Sequence, residues 1–207
     1  MSVTPAQAVK ELRDLTGLGM MECKNLLKEA GGDLAKAKIL AIARGQKQAA
    51  KLADRATSEG AIGIYLHSTK KIAGFVELNC NTDFVARGEE FQTLARDLAM
   101  HVAAMSPPPQ VVNRNELAAS AIDEQRKIQK EALAVEGKPN DDAAVEKAMT
   151  AWYEEAVLLE QPFVKDPSKT VKALIEEKIG TIKENITIAR FARWSVGETA
   201  KAPATAE

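Results

Sequence analysis

The sequence predicts an α+β fold, and three observations predict it. Three short amphipathic helices fill the first 45 residues. Apolar residues then switch to a period of two at 61–80, and again at 186–194. Between those stretches, two long helical segments flank Glu136-Gly137-Lys138-Pro139-Asn140, the layout of an antiparallel helical hairpin. The predicted organisation is a three-helix bundle over 1–45, a helical connector over 46–57 and an α+β core over 58–197. The core includes a small antiparallel sheet and the hairpin at 116–160, and a disordered tail follows over 198–207.

Each element has its own signal. Thr4 as a cap, Pro5 at the first helical position and Gln7 open the first helix. Val9, Leu12 and Leu15 form its inner stripe, and Thr16-Gly17-Leu18-Gly19 breaks it. A second helix turns Met21, Cys23, Leu26 and Leu27 inward before Gly31-Gly32. Asp33 caps a third, with Leu34, Ala37, Ile39, Leu40 and Ile42 inside and an end at Gly45. The connector is mostly Ala, Lys and Gln. Ile62, Ile64 and Leu66, then Ile72, Gly74, Val76, Leu78 and Cys80, alternate on either side of a polar turn and read as a β-hairpin. A helix carrying Phe91, Leu94, Leu98 and Val102 follows and stops at Pro107-Pro108-Pro109. The helical hairpin carries Leu117, Ala121, Ile128, Ala132 and Val135 on one stripe, and Val145, Met149, Trp152, Ala156 and Leu159 on the other. A short helix over 170–178 and a last strand over 186–194 complete the core.

Charge and composition narrow the function. The net charge is -1, which excludes a polyanion-coating cation. The first 56 residues carry ten Lys and Arg against six Asp and Glu, and the remainder 18 against 23. A basic head on an acidic body suits docking on an acidic partner surface. No apolar run nears the ~18 residues of a membrane span, and the start lacks a secretory pattern, so a cytoplasmic protein is expected. His67 and His101 sit in no metal-ligand spacing, and no phosphate loop follows Gly17 and Gly19. No cofactor, metal or bond-making catalysis is expected. Cys80 with His101 is the one nucleophile and base to weigh, but Cys80 falls on the apolar alternation of its strand and reads as an inert buried thiol; Cys23 reads the same way. Arg44, Lys47, Lys51 and Arg55 offer a runner-up reading as a nucleic-acid or ribosome contact. Without interleaved aromatics they read better as a solvated helix face.

Two segments stand apart. Met20-Met21 places two flexible side chains at a helix start, either packed or exposed as an adaptable contact. Thr82-Asp83-Phe84-Val85-Ala86-Arg87 sets an acid and a ring side by side after a polar loop. It is either a capped helix start with the ring turned inward, or an exposed wedge.

Leu12-Arg13-x-x-Thr16-Gly17-x-Gly19-Met20-Met21-x-Cys23-Lys24 resembles the amino-terminal signature of the translation elongation factor Ts family. Glu77-x-Asn79-Cys80-x-Thr82-Asp83-Phe84-Val85-Ala86-Arg87 resembles that family's second signature. Further agreement covers Met100-His101-Val102, Glu136-Gly137-Lys138-Pro139 and Gln161-Pro162-Phe163-Val164. The resemblance implies a guanine-nucleotide exchange factor for elongation factor Tu, binding its GDP-bound and nucleotide-free forms. It implies a ubiquitin-associated-like head, with Leu12, Met20, Met21 and Lys24 at or near the contact. It also implies that Asp83 and Phe84, within Thr82 to Val85, enter the partner and dislodge magnesium, with His101 on the same face. Long members of the family carry two core modules; a single core, as here, implies a homodimer.

Overall fold

The computed structural model describes residues 5–198. Thr4, the expected first cap, and the expected tail from 199 onward lie outside the described residues. The fold is α+β. The chain divides into two compact units that the linear order does not follow. One holds residues up to Gly60 together with Asn79–Gly88 and Lys172–Thr187; the other holds Ala61–Leu78, Glu89–Val171 and the chain from Ile188.

In the first unit, α1 (Pro5–Thr16), α2 (Met20–Glu29) and α3 (Leu34–Leu52) pack pairwise into a bundle. Leu12, Leu18, Cys23, Leu26, Leu27, Ala37 and Ala41 form its core. Each buried leucine contributes about 2 kcal/mol on area grounds. The Asp33 carboxylate accepts from the Lys36 amide at 3.0 Å and starts α3 as expected. Three inner positions are corrected. Leu15, Ile39 and Ile42 are exposed, and Thr16 takes the inner place after Leu12, its hydroxyl bonded to the Leu12 carbonyl at 2.6 Å. Ile39 follows the buried Ala37 by two residues, which on a 3.6-residue turn is the opposite side.

The end of the third helix is also corrected. α3 runs through Gly45 to Leu52, so the expected connector is largely its continuation. Gly45 marks a crossing, not a stop. A Cβ there would stand 3.2 Å from the Glu176 carbonyl oxygen of α8 (Val171–Ile182), and one on Gly180 would stand 3.1 Å from Gly45 Cα. The roughly 1 kcal/mol that glycine costs inside a helix is offset by this close approach.

Strands β1 (Glu59–Leu66), β2 (Ile72–Cys80) and β5 (Thr187–Ser195) form a sheet in the order β1-β2-β5. In the second unit this sheet lies on α5 (Glu89–Ala104), whose Phe91, Leu94, Leu98 and Val102 are buried as the spacing predicts. The alternation of β1 faces the other way from the helix. Gly63 and Gly74 lie against α5, where a Cβ would fall 2.0 Å from the Ala95 carbonyl and 2.1 Å from that of Ala99. Ile62, Ile64 and Leu66 are therefore turned outward and exposed, as is Trp194, which rests on Phe75 with ring centroids 5.1 Å apart.

Helices α6 (Ala119–Val135) and α7 (Asp142–Ala156) pair as the expected hairpin. On α7, Val145, Met149 and Ala156 are buried and Trp152 half-buried, as predicted. On α6 the stripe is corrected. Ala121, Ile128, Ala132 and Val135 are exposed, while Ile122, Gln125, Gln129 and Leu133 are half-buried. Glutamine methylenes supply apolar contact there that a hydrophobicity count overlooks. A two-strand ribbon, β3 (Pro162–Phe163) with β4 (Asp166–Thr170), was not expected; it is short and contains two prolines, which hide it from a period-two search.

Candidate partner-binding site

The Thr82 to Val85 segment leaves β2 and enters α4 (Asp83–Ala86). Thr82 is the cap: its backbone is extended and its hydroxyl accepts from the Val85 amide at 3.4 Å. Amides of Ala86, Arg87 and Gly88 close the turn onto Thr82, Asp83 and Val85 carbonyls. Asp83 pairs with Arg87 one turn on, and both are solvated. The cap is real, but the ring does not turn inward. Phe84 is 85% exposed, Val85 half-buried, and Ala86 is the buried residue of the turn.

The loop behind Phe84 is tied down from three sides. The Glu184 carboxylate accepts from the Asn81 and Thr82 amides at 3.2 and 3.1 Å and from the Thr82 hydroxyl at 2.6 Å. The Asn81 amide side chain donates to the Ala56 carbonyl at 2.6 Å and accepts from the Asn185 amide at 2.8 Å. The Cys80 thiol donates to the Thr82 carbonyl at 3.2 Å. Burial pushes that thiol up from its ordinary range, so it is a protonated structural group at neutral pH.

On the head, Met20 and Met21 are both exposed, at 48% and 67%. The expected inward turn of Met21 is corrected: Met21 precedes the buried Cys23 by two residues and so points away from it. Lys24 is exposed beside them. Leu12 has no exposed surface and belongs to the bundle core. Leu15, Ile39 and Ile42 add exposed apolar surface that the inner-stripe reading of their helices concealed.

His101 is fully buried in α5. Its Nδ1 accepts from the Val164 amide at 3.2 Å, and its Nε2 lies 2.9 Å from Gln161 Oε1. Because Nδ1 accepts, Nε2 must carry the proton given to Gln161. Burial holds the imidazole below its ordinary pKa. The ring is neutral and both nitrogens are occupied, which leaves no lone pair for a general base. Of the runner-up cations, Arg44 is bonded to both Glu29 oxygens at 2.6 and 2.7 Å; Lys47, Lys51 and Arg55 are exposed. No group of three or more His, Cys, Asp or Glu side chains that could hold a metal stands among the described residues. No helix there is long and apolar enough to cross a membrane.

Known proteins decide the family. The family described as Elongation factor TS matches residues 13–198. The chain belongs to the elongation factor Ts family. The elongation factor Ts of Oleidesulfovibrio alaskensis is 46% identical over 199 residues, covering 95% of this chain and all of that one. That of Thermosipho melanesiensis is 48% identical over 195 residues, covering 93% and 98%. That of Geobacter sulfurreducens is 44% identical over 200 residues, covering 96% and 91%. Against the elongation factor Ts signatures, the second presents Phe84 at the tip of a tethered turn, and the first presents the two methionines. Glu184 and Asn185 carry no such signature. Their only mark in the sequence is a polar run, Lys183-Glu184-Asn185, between a helix and a strand.

Proposed function

We propose that this chain is the guanine-nucleotide exchange factor of elongation factor Tu. It binds the GDP-bound partner, perturbs its magnesium and phosphate site, and stabilises the nucleotide-free form until GTP enters. Family membership supports this reading, and one observation carries it: a phenylalanine ring 85% exposed on a capped, tethered turn. Seating that ring in a partner contributes about 2–3 kcal/mol of burial. Magnesium needs near-ideal oxygen geometry. A ring wedged between helices that loosens nucleotide binding by about 3 kcal/mol raises its dissociation constant roughly 150-fold. By reciprocity, GDP weakens the factor's own binding by the same factor, so the factor leaves when nucleotide returns.

In this reading the ubiquitin-associated-like head docks through Met20, Met21 and Lys24 while Asp83 and Phe84 act on the nucleotide site. The protein works in the cytoplasm by protein contact and is not an enzyme that makes or breaks bonds. The exposed sheet face of Ile62, Ile64, Leu66 and Trp194 supports a homodimer with that face at its centre. Stopped-flow release of a fluorescent GDP from elongation factor Tu tests the activity. Micromolar factor is expected to accelerate release by orders of magnitude, and an unchanged rate would refute exchange.

A further inference from the structure

Phe84 can act as a wedge only if the turn that carries it is stiff, and the hydrogen bonds behind that turn come from Ala56, Glu184 and Asn185. α4 is four residues long and has Ala86 as its buried residue, so its own packing cannot fix it. What fixes it arrives from a place about one hundred residues further along the chain. Lys183, directly after α8, has a φ of +66°, the left-handed region that side chains other than glycine rarely adopt. Its amide bonds back to the Ile179 carbonyl at 3.0 Å, closing the helix and reversing the chain. That reversal aims Glu184 at the wedge loop, where one carboxylate oxygen takes two consecutive amides and the other takes the Thr82 hydroxyl. Asn185, 4% exposed, ties the same turn to the Ala53 and Arg55 carbonyls after α3 at 3.2 and 3.0 Å and, through its own amide, to Asn81.

The same short element also holds the head. Gly180 crosses α3 at Gly45, and a Cβ on Gly17 would meet Thr181 at 3.4 Å. The Lys183 ammonium pairs with Glu22 of α2 at 3.5 Å. The end of α8 thus touches the Gly17-to-Glu22 region that presents the methionines, and grips the loop that presents Phe84. Bundle, wedge turn and α8 lie in one compact unit, although 30 or more residues separate each from the next.

We propose that the Lys183-Glu184-Asn185 turn is a bracket that fixes the wedge relative to the docking head, with Glu184 as its positioning residue. The inference rests on the exchange reading. A group that only docks would set the concentration of factor needed; a group that positions the wedge sets the rate once the complex has formed. Glu184→Ala is therefore expected to lower the maximal GDP-release rate about tenfold, with the half-saturating factor concentration unchanged within twofold. Glu184→Gln keeps one acceptor for the amides and can donate to the Thr82 hydroxyl oxygen, so it is expected to recover most of the rate. Thr82→Val removes the 2.6 Å bond from the other side. Combined with Glu184→Ala it should add less than the product of the two separate losses.

Amide hydrogen exchange of the free protein supplies a readout without the partner. The Asn81 and Thr82 amides are expected to exchange at least tenfold faster in Glu184→Ala, while those of α1 and α2 do not change. Should Glu184→Ala fail to fold, Thr82→Val, which removes the hydroxyl bond to Glu184, carries the same comparison. A maximal rate within twofold of wild type, a loss confined to half-saturation, or unchanged Asn81 and Thr82 protection would overturn the bracket. A wild-type protein that does not accelerate release refutes exchange instead, and the amide readout then decides the bracket alone.

Discussion

A ring held 85% in solvent gains nothing for the free protein, whereas the groups behind it are all satisfied: Thr82, Asn81 and Cys80 each have a named partner. That contrast between an idle tip and a fastened base supports the contact role proposed for Phe84. His101 shows the opposite arrangement, buried and bonded at both nitrogens, beside the Phe163 ring at 5.8 Å. Its native pKa lies below the ordinary 6.5. The unfolded chain therefore takes up the proton first, and the stability His101 contributes is present above about pH 6.5 and lost as pH falls towards the native pKa. Urea unfolding between pH 7.5 and 5 is expected to show a decline from this group of up to about 1.4 kcal/mol per pH unit. A His101→Gln variant should show a shallower decline, and equal slopes would contradict the assignment. At this scale the sequence was readable where residue type decides. A Thr or Asp cap follows from chemistry, and the structure makes it Thr82; the buried Cys80 follows from its place in the alternation of its strand. Met21, Leu15 and Ile39 did not, because an apolar side chain marks a face only relative to neighbours that share its burial.

Element by element, the helices and the three-strand sheet were legible from period; the buried face was legible for α5 and α7 but not for β1 or α6. β1 alternates cleanly, yet the face it buries is the one with Gly63, because α5 approaches so closely that no Cβ fits. Gly63→Ala is expected to cost about 3 kcal/mol or more, since the atom it meets is backbone and cannot move aside. A loss below about 1 kcal/mol in urea denaturation would rule out that contact. Gly45 misled for the same reason: a glycine within a helix reads as a stop until a second helix is seen to cross there. The hairpin separates the two kinds of stripe. Met149→Ala, at a fully buried position, should lose about 2–5 kcal/mol, whereas Val135→Ala, 89% exposed, should stay within about 0.5 kcal/mol. Comparable losses in denaturation midpoints would restore the stripe expected from the heptad spacing.

Across the whole molecule, the chain forms two compact units, each assembled from segments that are not consecutive in sequence. The wedge turn follows β2 in the chain but belongs to the unit of the head. No local pattern could reveal this, because it depends on α8 returning to α3 through Gly45 and Gly180. The exposed residues Ile62, Ile64, Leu66 and Trp194 belong to the other unit. On the proposed homodimer, wild-type protein is expected to sediment as a dimer at micromolar concentration and Ile64→Asp as a monomer, and equal masses would remove that face from the proposed interface. The central claim is that Phe84 drives nucleotide release, and the most direct test is the GDP-release rate from elongation factor Tu at saturating factor. Wild-type protein should raise the rate by orders of magnitude. Phe84→Ala, with unchanged circular dichroism, should lose at least tenfold of it. Release as fast with alanine as with phenylalanine would contradict the account.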